Sequence, residues 1–228
     1  KTGVNHIRGK NLIGAFHQPA AVVIDSATLD TLDSREFAAG LAEVVKYGAI
    51  RDATFFDWLE SQAEAVAARD AGVLDHVIRR SVENKAEIVA ADEREAGIRA
   101  LLNFGHSFGH AIEAETGFER FLHGEAVAIG LVIAAQLSAA RRLCGPGIAD
   151  RLAALLSRFG LPVRIPGDLS VSGLARALEL DKKALASGIR LILLRAIGDA
   201  VVDADSSEKD IVAAMLGNQS SQGGLGIE

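Results

Sequence analysis

His106 and His110, a third histidine at His123 and a glutamate far upstream at Glu43 are the residues of this chain best suited to chemistry. The central segment reads Arg99-Ala-Leu-Leu-Asn103-Phe-Gly-His106-Ser-Phe-Gly-His110-Ala-Ile-Glu113. Arg99, Asn103, His106 and His110 follow an i, i+4, i+7, i+11 spacing. At roughly 100° per residue they fall within an arc of about 60° on one helix face. That spacing usually carries an apolar stripe; here it carries a guanidinium, an amide and two imidazoles. A helix buries such a face only against something polar, because unpaired buried polar groups are costly. A metal ion or a polar substrate meets that need. Gly105 and Gly109 lower helix propensity by about 1 kcal/mol each and signal the close approach of another element.

The chemistry open to this set can be narrowed. A metalloprotease with this histidine spacing carries glutamate directly after the first histidine. Ser107 stands there instead, which excludes that reading. An HxxxH pair alone is a weak metal signal, and buried hydrogen-bonded histidines or capping histidines explain it as well. His123 opens an apolar helix as His123-Gly-Glu125, where a structural role is equally open. Taken together, however, Glu43, His106 and His123 supply two imidazoles and one carboxylate. Such a set leaves a fourth position open, as catalytic zinc requires.

The cationic candidates are ambiguous one by one. Glu43 and Lys46 stand i, i+3 on an apolar helix and read as an exposed ion pair. Lys85 sits in a dense charge pattern typical of a solvated helix face. Lys1, Lys10, Asn11, Lys182 and Lys183 together suit an anion, since lysines serve phosphate as point charges. His6, His17 and His76 have no arranged partners and read as structural or surface residues.

The elements that must position these residues are mostly helices. Ser34 reads as the N-cap of a helix that begins Arg35-Glu-Phe-Ala-Ala. Helical patterns recur at about 52–69, 72–91, 100–116, 123–143, 147–159, 170–178 and 207–216. Residues 1–20 are polar and turn-rich, and Ala21-Val-Val-Ile-Asp25 reads as a strand. Ile189-Arg-Leu-Ile-Leu-Leu194 and Ala200-Val-Val-Asp203 read as two strands joined through Gly198-Asp199. The expected architecture is mainly α, a helical metal- and substrate-binding domain over 1–217 with a few short strands. Residues 218–228 are Gly/Ser-rich and are expected to form a disordered tail.

Bulk properties exclude several function classes. The chain has 228 residues, 49% of them hydrophobic, and a net charge of −6. That length supports a core without staples. No long basic run points to nucleic acid. Cys144 stands alone, which rules out an internal disulfide and a cysteine zinc cluster and fits a reducing cytoplasm. The richest apolar run, Ala126 to Ala135, falls short of the roughly 18 residues of a membrane span. The chain starts at Lys1 and its single methionine is Met215, so it is expected to be a piece of a longer protein.

Beyond these residue-level readings, the chain resembles the C-terminal part of 3-dehydroquinate synthase, in the sugar-phosphate cyclase superfamily. The matching stretches are Lys1-Thr-Gly-Val-Asn-His6, Gly9-Lys-Asn-Leu-Ile-Gly-Ala-Phe16 and Arg35-Glu-Phe-Ala-Ala-Gly-Leu-Ala-Glu43-Val-Val-Lys46-Tyr-Gly48. Lys85-Ala-Glu-Ile-Val-Ala-Ala-Asp-Glu-Arg-Glu95, Leu101 to Glu113 and Leu122-His-Gly-Glu-Ala-Val-Ala-Ile-Gly130 continue the match, and Asp181-Lys-Lys183 followed by Arg190 to Leu194 completes it.

The resemblance implies the C-terminal helical domain of an α/β + α fold, with residues 1–30 a remnant of the junction to an N-terminal NAD-binding domain. It implies a zinc- and NAD-dependent cyclase of the shikimate pathway, with cobalt able to replace zinc. Its substrate would be 3-deoxy-D-arabino-heptulosonate 7-phosphate, a phosphorylated sugar acid, and its products 3-dehydroquinate and phosphate. By position it implies Glu43, His106 and His123 as zinc ligands. Lys85, Arg99, Asn103 and His110 would surround the substrate ring and carboxylate. Lys1, Lys10, Asn11 and one of Lys182 and Lys183 would contact its phosphate and carboxylate. Thr31 and Leu32 would touch the cofactor, with Lys46 close by. A cytoplasmic homodimer with no nucleic-acid or membrane partner is expected. No GxGxxG follows a strand here, so these residues alone are expected to give weak zinc binding and negligible turnover. Asp33 departs from the proline common in the family after Thr-Leu.

Three other readings compete. Relatives acting on sedoheptulose 7-phosphate or glucose 6-phosphate lack the substrate carboxylate and should differ around Lys85, Arg99 and Asn103. A glycerol-dehydrogenase-like relative shares the broad fold but lacks the Asn103-Phe-Gly-His106 context. A non-catalytic helical module would show neither stoichiometric zinc nor turnover.

Overall fold

The computed structural model describes residues 4–6, 9–14, 19–92, 97–184 and 190–220, with the side chains of 5–6, 9–12 and 179–184 outside that description. Two compact units result, Lys1–Thr31 and Leu32–Glu228.

The first unit carries a feature that the polar composition of its segment hides. β1 (Val4–His6) and β2 (Gly9–Ile13) pair antiparallel, with Val4 opposite Ile13 and His6 opposite Gly9. Ala21 to Asp25, expected as a strand, lies outside any sheet. β-Branched composition is not enough: a strand needs a partner ladder, and Val22, Val23 and Ile24 stand exposed. A 3₁₀ turn, Ser26–Leu29, follows, capped by Asp25, whose carboxylate accepts the Ala27 N–H at 3.0 Å.

The second unit is mainly α. Its helices are α1 (Ser34–Arg51), α2 (Ala53–Ala67), α3 (Ala71–Ala91), α4 (His106–Glu115), α5 (His123–Ala140), α6 (Gly147–Arg158), α7 (Val171–Ala184) and α8 (Glu208–Asn218). Aspartates start the first three. Asp33, Asp52 and Asp70 accept N–H groups of Arg35, Phe55 and Val73 at 2.8, 3.0 and 3.0 Å. The cap of α1 is thus Asp33 and not Ser34, because its carboxylate reaches an orphan N–H of the first turn. The residue that departs from the family's proline therefore has a structural task.

α5 is the axis of this unit. Ala126, Val127, Ala128, Ile129, Leu131 and Ile133 are all fully buried. By length and composition it could cross a membrane, yet most of it lies inside the fold, packed on α1, α4, α6 and α8. A helix apolar all round is a core helix when its neighbours cover it on every side. Small residues permit that crowding. A Cβ on Gly124 would overlap the Ala39 carbonyl of α1, and one on Gly130 would overlap the Gly105 carbonyl.

β3 (Leu191–Ala196) and β4 (Asp199–Asp203) form an antiparallel pair that packs on α5 and α1. Gly198 makes the turn with φ +85° and donates its N–H to Ala49 O at 2.8 Å. Ser138 of α5 ties the sheet down: its hydroxyl accepts the Leu194 N–H at 2.9 Å and donates to Ala134 O at 2.6 Å. Asn218, the last residue of α8, is buried; its side chain accepts from Ile165 N–H at 2.9 Å and donates to Val163 O at 3.0 Å. Of the tail expected over 218–228, Asn218 to Ser220 instead join the fold, Gln219 donating its side chain to Pro166 O and Leu169 O and Ser220 its N–H to Ile165 O, and the rest lies outside the described residues.

The glycine contacts carry a test. Gly130→Ala should destabilise the fold by about 1–3 kcal/mol, the usual cost of overpacking. Gly217→Ala on α8, where a Cβ meets nothing within 4 Å, should leave stability unchanged or slightly raised. Urea denaturation of both variants checks this, and equal midpoints would contradict the close-packed crossing.

Candidate metal centre

The segment carrying Arg99, Asn103, His106 and His110 is not one helix. Ile98–Asn103 is a 3₁₀ turn, Phe104 is extended, and Gly105 adopts φ +77°, after which α4 starts at His106. A left-handed residue ends one helical run and starts another, and glycine takes it without strain. The i, i+4, i+7, i+11 face therefore breaks at Gly105. His106 and His110 share a face of α4, while Arg99 and Asn103 sit on the preceding turn. That turn packs against α1 and α3. Asp92 holds it, its Oδ2 accepting N–H groups of Gly97 at 2.7 Å and Arg99 at 3.0 Å.

The close approach expected at Gly105 and Gly109 is present, and its partner is α5. A Cβ on Gly105 would stand 2.7 Å from Leu131 N, and one on Gly109 would stand 3.1 Å from Val127 N. This crossing sets His106, first residue of α4, beside His123, first residue of α5, with ring centroids 5.2 Å apart. The His110 ring completes a triangle, 5.7 Å from His106 and 5.8 Å from His123. Glu125 fixes the start of α5 by accepting the Leu122 N–H at 2.8 Å, and Arg35 of α1 forks onto the same carboxylate at 2.6 and 2.7 Å. The Arg35 partner holds the Glu125 carboxyl below the usual range against the opposing effect of burial.

Glu43 enters from α1. Its Oε2 accepts from the Lys46 ammonium at 2.5 Å. The pair is not the exposed one the i, i+3 spacing predicts, since Lys46 is only 3% exposed. Burial lowers the Lys46 pKa, Glu43 opposes that, and the positive charge of Lys85 on α3 adds to the lowering. Burial likewise pushes the Glu43 carboxyl up, but His106 and Lys46 outweigh it and hold it down at about 2.

The other oxygen, Glu43 Oε1, is sealed from solvent without a hydrogen-bond donor of good geometry, 3.3 Å from His106 Nε2. His106 Nδ1 lies 3.2 Å from Phe104 O. A carbonyl can only accept, so this bond puts a proton on Nδ1. In the neutral ring Nε2 then offers a lone pair, and it faces the lone pairs of a carboxylate. That juxtaposition needs one positive charge between the two atoms, either a second proton on the ring or a cation. Two donors of one tetrahedral zinc stand about 3.3 Å apart, given bonds of about 2.0–2.1 Å. Glu43, His106 and His123 all bring a ligand atom within 4.8 Å of one another, so the residues fit a metal ion.

The remaining predicted residues are distributed as follows. Lys85, Asn103 and His110 are exposed and Arg99 is half-buried. Leu32 is exposed, and the exposed Thr31 donates its hydroxyl to Thr28 O at 3.4 Å. Lys1 lies outside the described residues. The backbones of Lys10 and Asn11 run in β2 and those of Lys182 and Lys183 in α7, with their side chains outside the description. His76, read as unpartnered, packs its ring 4.2 Å from Trp58, and His6 and His17 fall outside the described side chains. Sequence reasoning passed over Glu113, a buried carboxylate whose Oε2 lies 3.3 Å from His123 Nδ1. Its spacing held the signal, i+7 from His106 and i+3 from His110.

Comparison with known proteins bears on this geometry. Residues 40–184 match the family described as 3-dehydroquinate synthase C-terminal, and residues 1–39 that described as 3-dehydroquinate synthase N-terminal. The chain is 55% identical over 216 residues to a 3-dehydroquinate synthase of Halorhodospira halophila, covering 95% of this chain and 61% of that protein. It is 48% identical over 223 residues to that of Saccharophagus degradans, covering 98% of this chain and 61% of that protein. The chain thus spans about three fifths of the length of these curated relatives. Among solved structures, 2-epi-5-epi-valiolone synthase of Streptomyces hygroscopicus subsp. jinggangensis, with NAD+ and Zn2+ bound, superposes with a TM-score of 0.84 at 32% identity, over 95% of this chain and 60% of that one. A 2-deoxy-scyllo-inosose synthase, complexed with carbaglucose-6-phosphate, NAD+ and Co2+, shares the fold with a TM-score of 0.81 at 23% identity, over 95% of this chain and 61% of that one. The chain belongs to the 3-dehydroquinate synthase family.

Proposed function

We propose that this chain carries the metal and substrate-reacting part of a 3-dehydroquinate synthase. The reaction is conversion of 3-deoxy-D-arabino-heptulosonate 7-phosphate to 3-dehydroquinate and phosphate, in aromatic amino-acid biosynthesis. The observation that carries the proposal is the facing pair of acceptors, Glu43 Oε1 and His106 Nε2, with His123 beside them. Identity of 48–55% to curated 3-dehydroquinate synthases, against 32% to the valiolone synthase, favours this substrate over that of another sugar-phosphate cyclase. The proposed setting is the cytoplasm, from the single cysteine, and the proposed assembly a homodimer, from the resemblance.

Glu43, His106 and His123 would hold zinc. Zinc there would supply a Lewis acid and NAD a reversible hydride acceptor, which is what a transient oxidation around a phosphate elimination requires. The chain's own residues do the rest. Lys46 balances the Glu43 charge, so the carboxylate stays ionised in a buried setting. His110, one turn beyond His106 on the same helix face, is set to move a proton at a substrate hydroxyl near the ligands. Arg99 offers a planar fork suited to the substrate carboxylate. Lys85, whose charge reaches Lys46 from α3, would add positive field on that side of the site and favour a phosphate or carboxylate. Lys1, Lys10, Asn11, Lys182 and Lys183 remain the proposed anion contacts, and Thr31 and Leu32 the proposed cofactor contacts.

Protein expressed from the complete gene, given the heptulosonate phosphate, NAD and zinc, should release phosphate and form dehydroquinate. One zinc per chain is expected. His106→Ala should lose stoichiometric metal and turnover together. His110→Ala should keep the metal and lose about 10²–10⁴-fold in kcat, the range of a general acid–base residue. Metal content by elemental analysis and coupled phosphate release check both. Bound zinc with turnover only on a sugar phosphate lacking the carboxylate would move the assignment to another cyclase. Arg99→Lys should raise KM more than it lowers kcat, since lysine keeps the charge and loses the fork. An unchanged KM would remove Arg99 from the carboxylate.

A further inference from the structure

The two histidine ligands are held in different ways. His106 leans on a neutral carbonyl, Phe104 O. His123 is the more exposed ring, 43% against 15%, and needs a stronger restraint to present one nitrogen steadily. Its neighbour is Glu113, only 3% exposed, with Oε2 3.3 Å from His123 Nδ1. A buried carboxylate is costly unless partnered, and an imidazole N–H is such a partner.

We propose that Glu113 is a positioning residue of the metal centre: its buried carboxylate accepts the Nδ1–H of His123, fixing the ring's tautomer and leaving Nε2 as the nitrogen offered to the metal. This rests on the zinc reading of Glu43, His106 and His123. The arrangement is a carboxylate–histidine–metal relay, in which the outer carboxylate orients the ring and raises its basicity.

A second grouping, His110, Glu113 and His123, also brings ligand atoms within 4.8 Å of one another and would make Glu113 a ligand itself. The Nδ1 contact argues against it. A nitrogen that carries the shared proton cannot bind a metal, and Glu113 sits in the protein interior beneath the exposed rings of His110 and His123. α4 therefore serves the centre twice. Its first residue, His106, is a ligand, and its eighth, Glu113, steadies the ligand delivered by α5.

The test uses protein from the complete gene as wild type, Glu113→Gln and Glu113→Leu. Nitrogen NMR of the metal-free protein should show His123 as the Nδ1–H tautomer in wild type and in Glu113→Gln, whose amide oxygen still accepts. The Leu variant should lose that preference. Zinc affinity by chelator competition should fall roughly tenfold in Glu113→Gln and up to about 100-fold in Glu113→Leu, with stoichiometry kept. The absorption bands of the cobalt-loaded protein should shift in both. A purely structural role would lower the melting temperature without moving the tautomer or the cobalt spectrum. If the Leu variant fails to fold, the isosteric Gln variant carries the test alone. Wild-type affinity in both substitutions, or a wild-type His123 protonated at Nε2, would overturn the proposal while leaving the zinc reading intact. Loss of stoichiometric metal in Glu113→Gln with metal kept in His106→Ala would make Glu113 a ligand and overturn it as well. A wild type that takes up no zinc would sink both readings at once.

Discussion

The crossing of α4 over α5 is the constraint on which the centre depends. Gly105 and Gly130 meet backbone to backbone, and Gly109 lies against Val127. No side chain fits between them, so the helices approach closer than larger residues at these positions would allow. The two helix starts then lie together, and each begins with a histidine. Gly124 applies the same device against α1, one residue beyond His123, and draws in the helix that carries Glu43. The proposed ligand set follows from glycine placement: three elements are pressed together at three points, and Glu43, His106 and His123 stand where those points converge.

Around this crossing the electrostatics are arranged so that charge is countered at short range. Glu43 has Lys46, Glu125 has Arg35, and Glu113 has His123. Each carboxylate sits near a proposed ligand or is one, and each has a cationic or proton-donating neighbour. The one atom left out of this pattern is Glu43 Oε1, which faces a ring nitrogen instead. Glu43 Oε1 is one of four buried side-chain atoms left without a hydrogen bond among the described residues, and it is its place facing His106 with His123 alongside that suits a ligand.

Much of this could be read from the residues. The apolar periodicity of α1, the continuous apolar run of α5, and the Gly198 turn between β3 and β4 are strong local signals, and the elements form where those signals lie. The break at Gly105 was written in the same glycine that marks the crossing, but a polar stripe at helical spacing conceals it. Ala21 to Asp25 has the composition of a strand and lacks the partner, which is a tertiary matter. β1 and β2 gave the opposite error, since short polar strands carry no hydrophobic alternation. Burial was the harder quantity. Lys46 reads as half of an exposed ion pair and Glu113 carries no burial signal of its own, and only packing reveals that both lie in the interior. A charge in a helix pattern announces exposure by default, so the functional ones hide among the ordinary ones.

The three proposed ligands come from α1, α4 and α5, with His123 80 positions after Glu43 in the chain. Any divalent ion taken up there acts as a cross-link on the folded state that the unfolded chain cannot match. By mass action, an ion at 1,000 times its dissociation constant adds about 4 kcal/mol to the folding free energy. That is a large share of the total for a domain of this size, so with the proposed ion bound the stability of the protein would follow the free metal concentration around it. Scarcity of the ion would then limit how much folded protein survives, as well as how fast each molecule works.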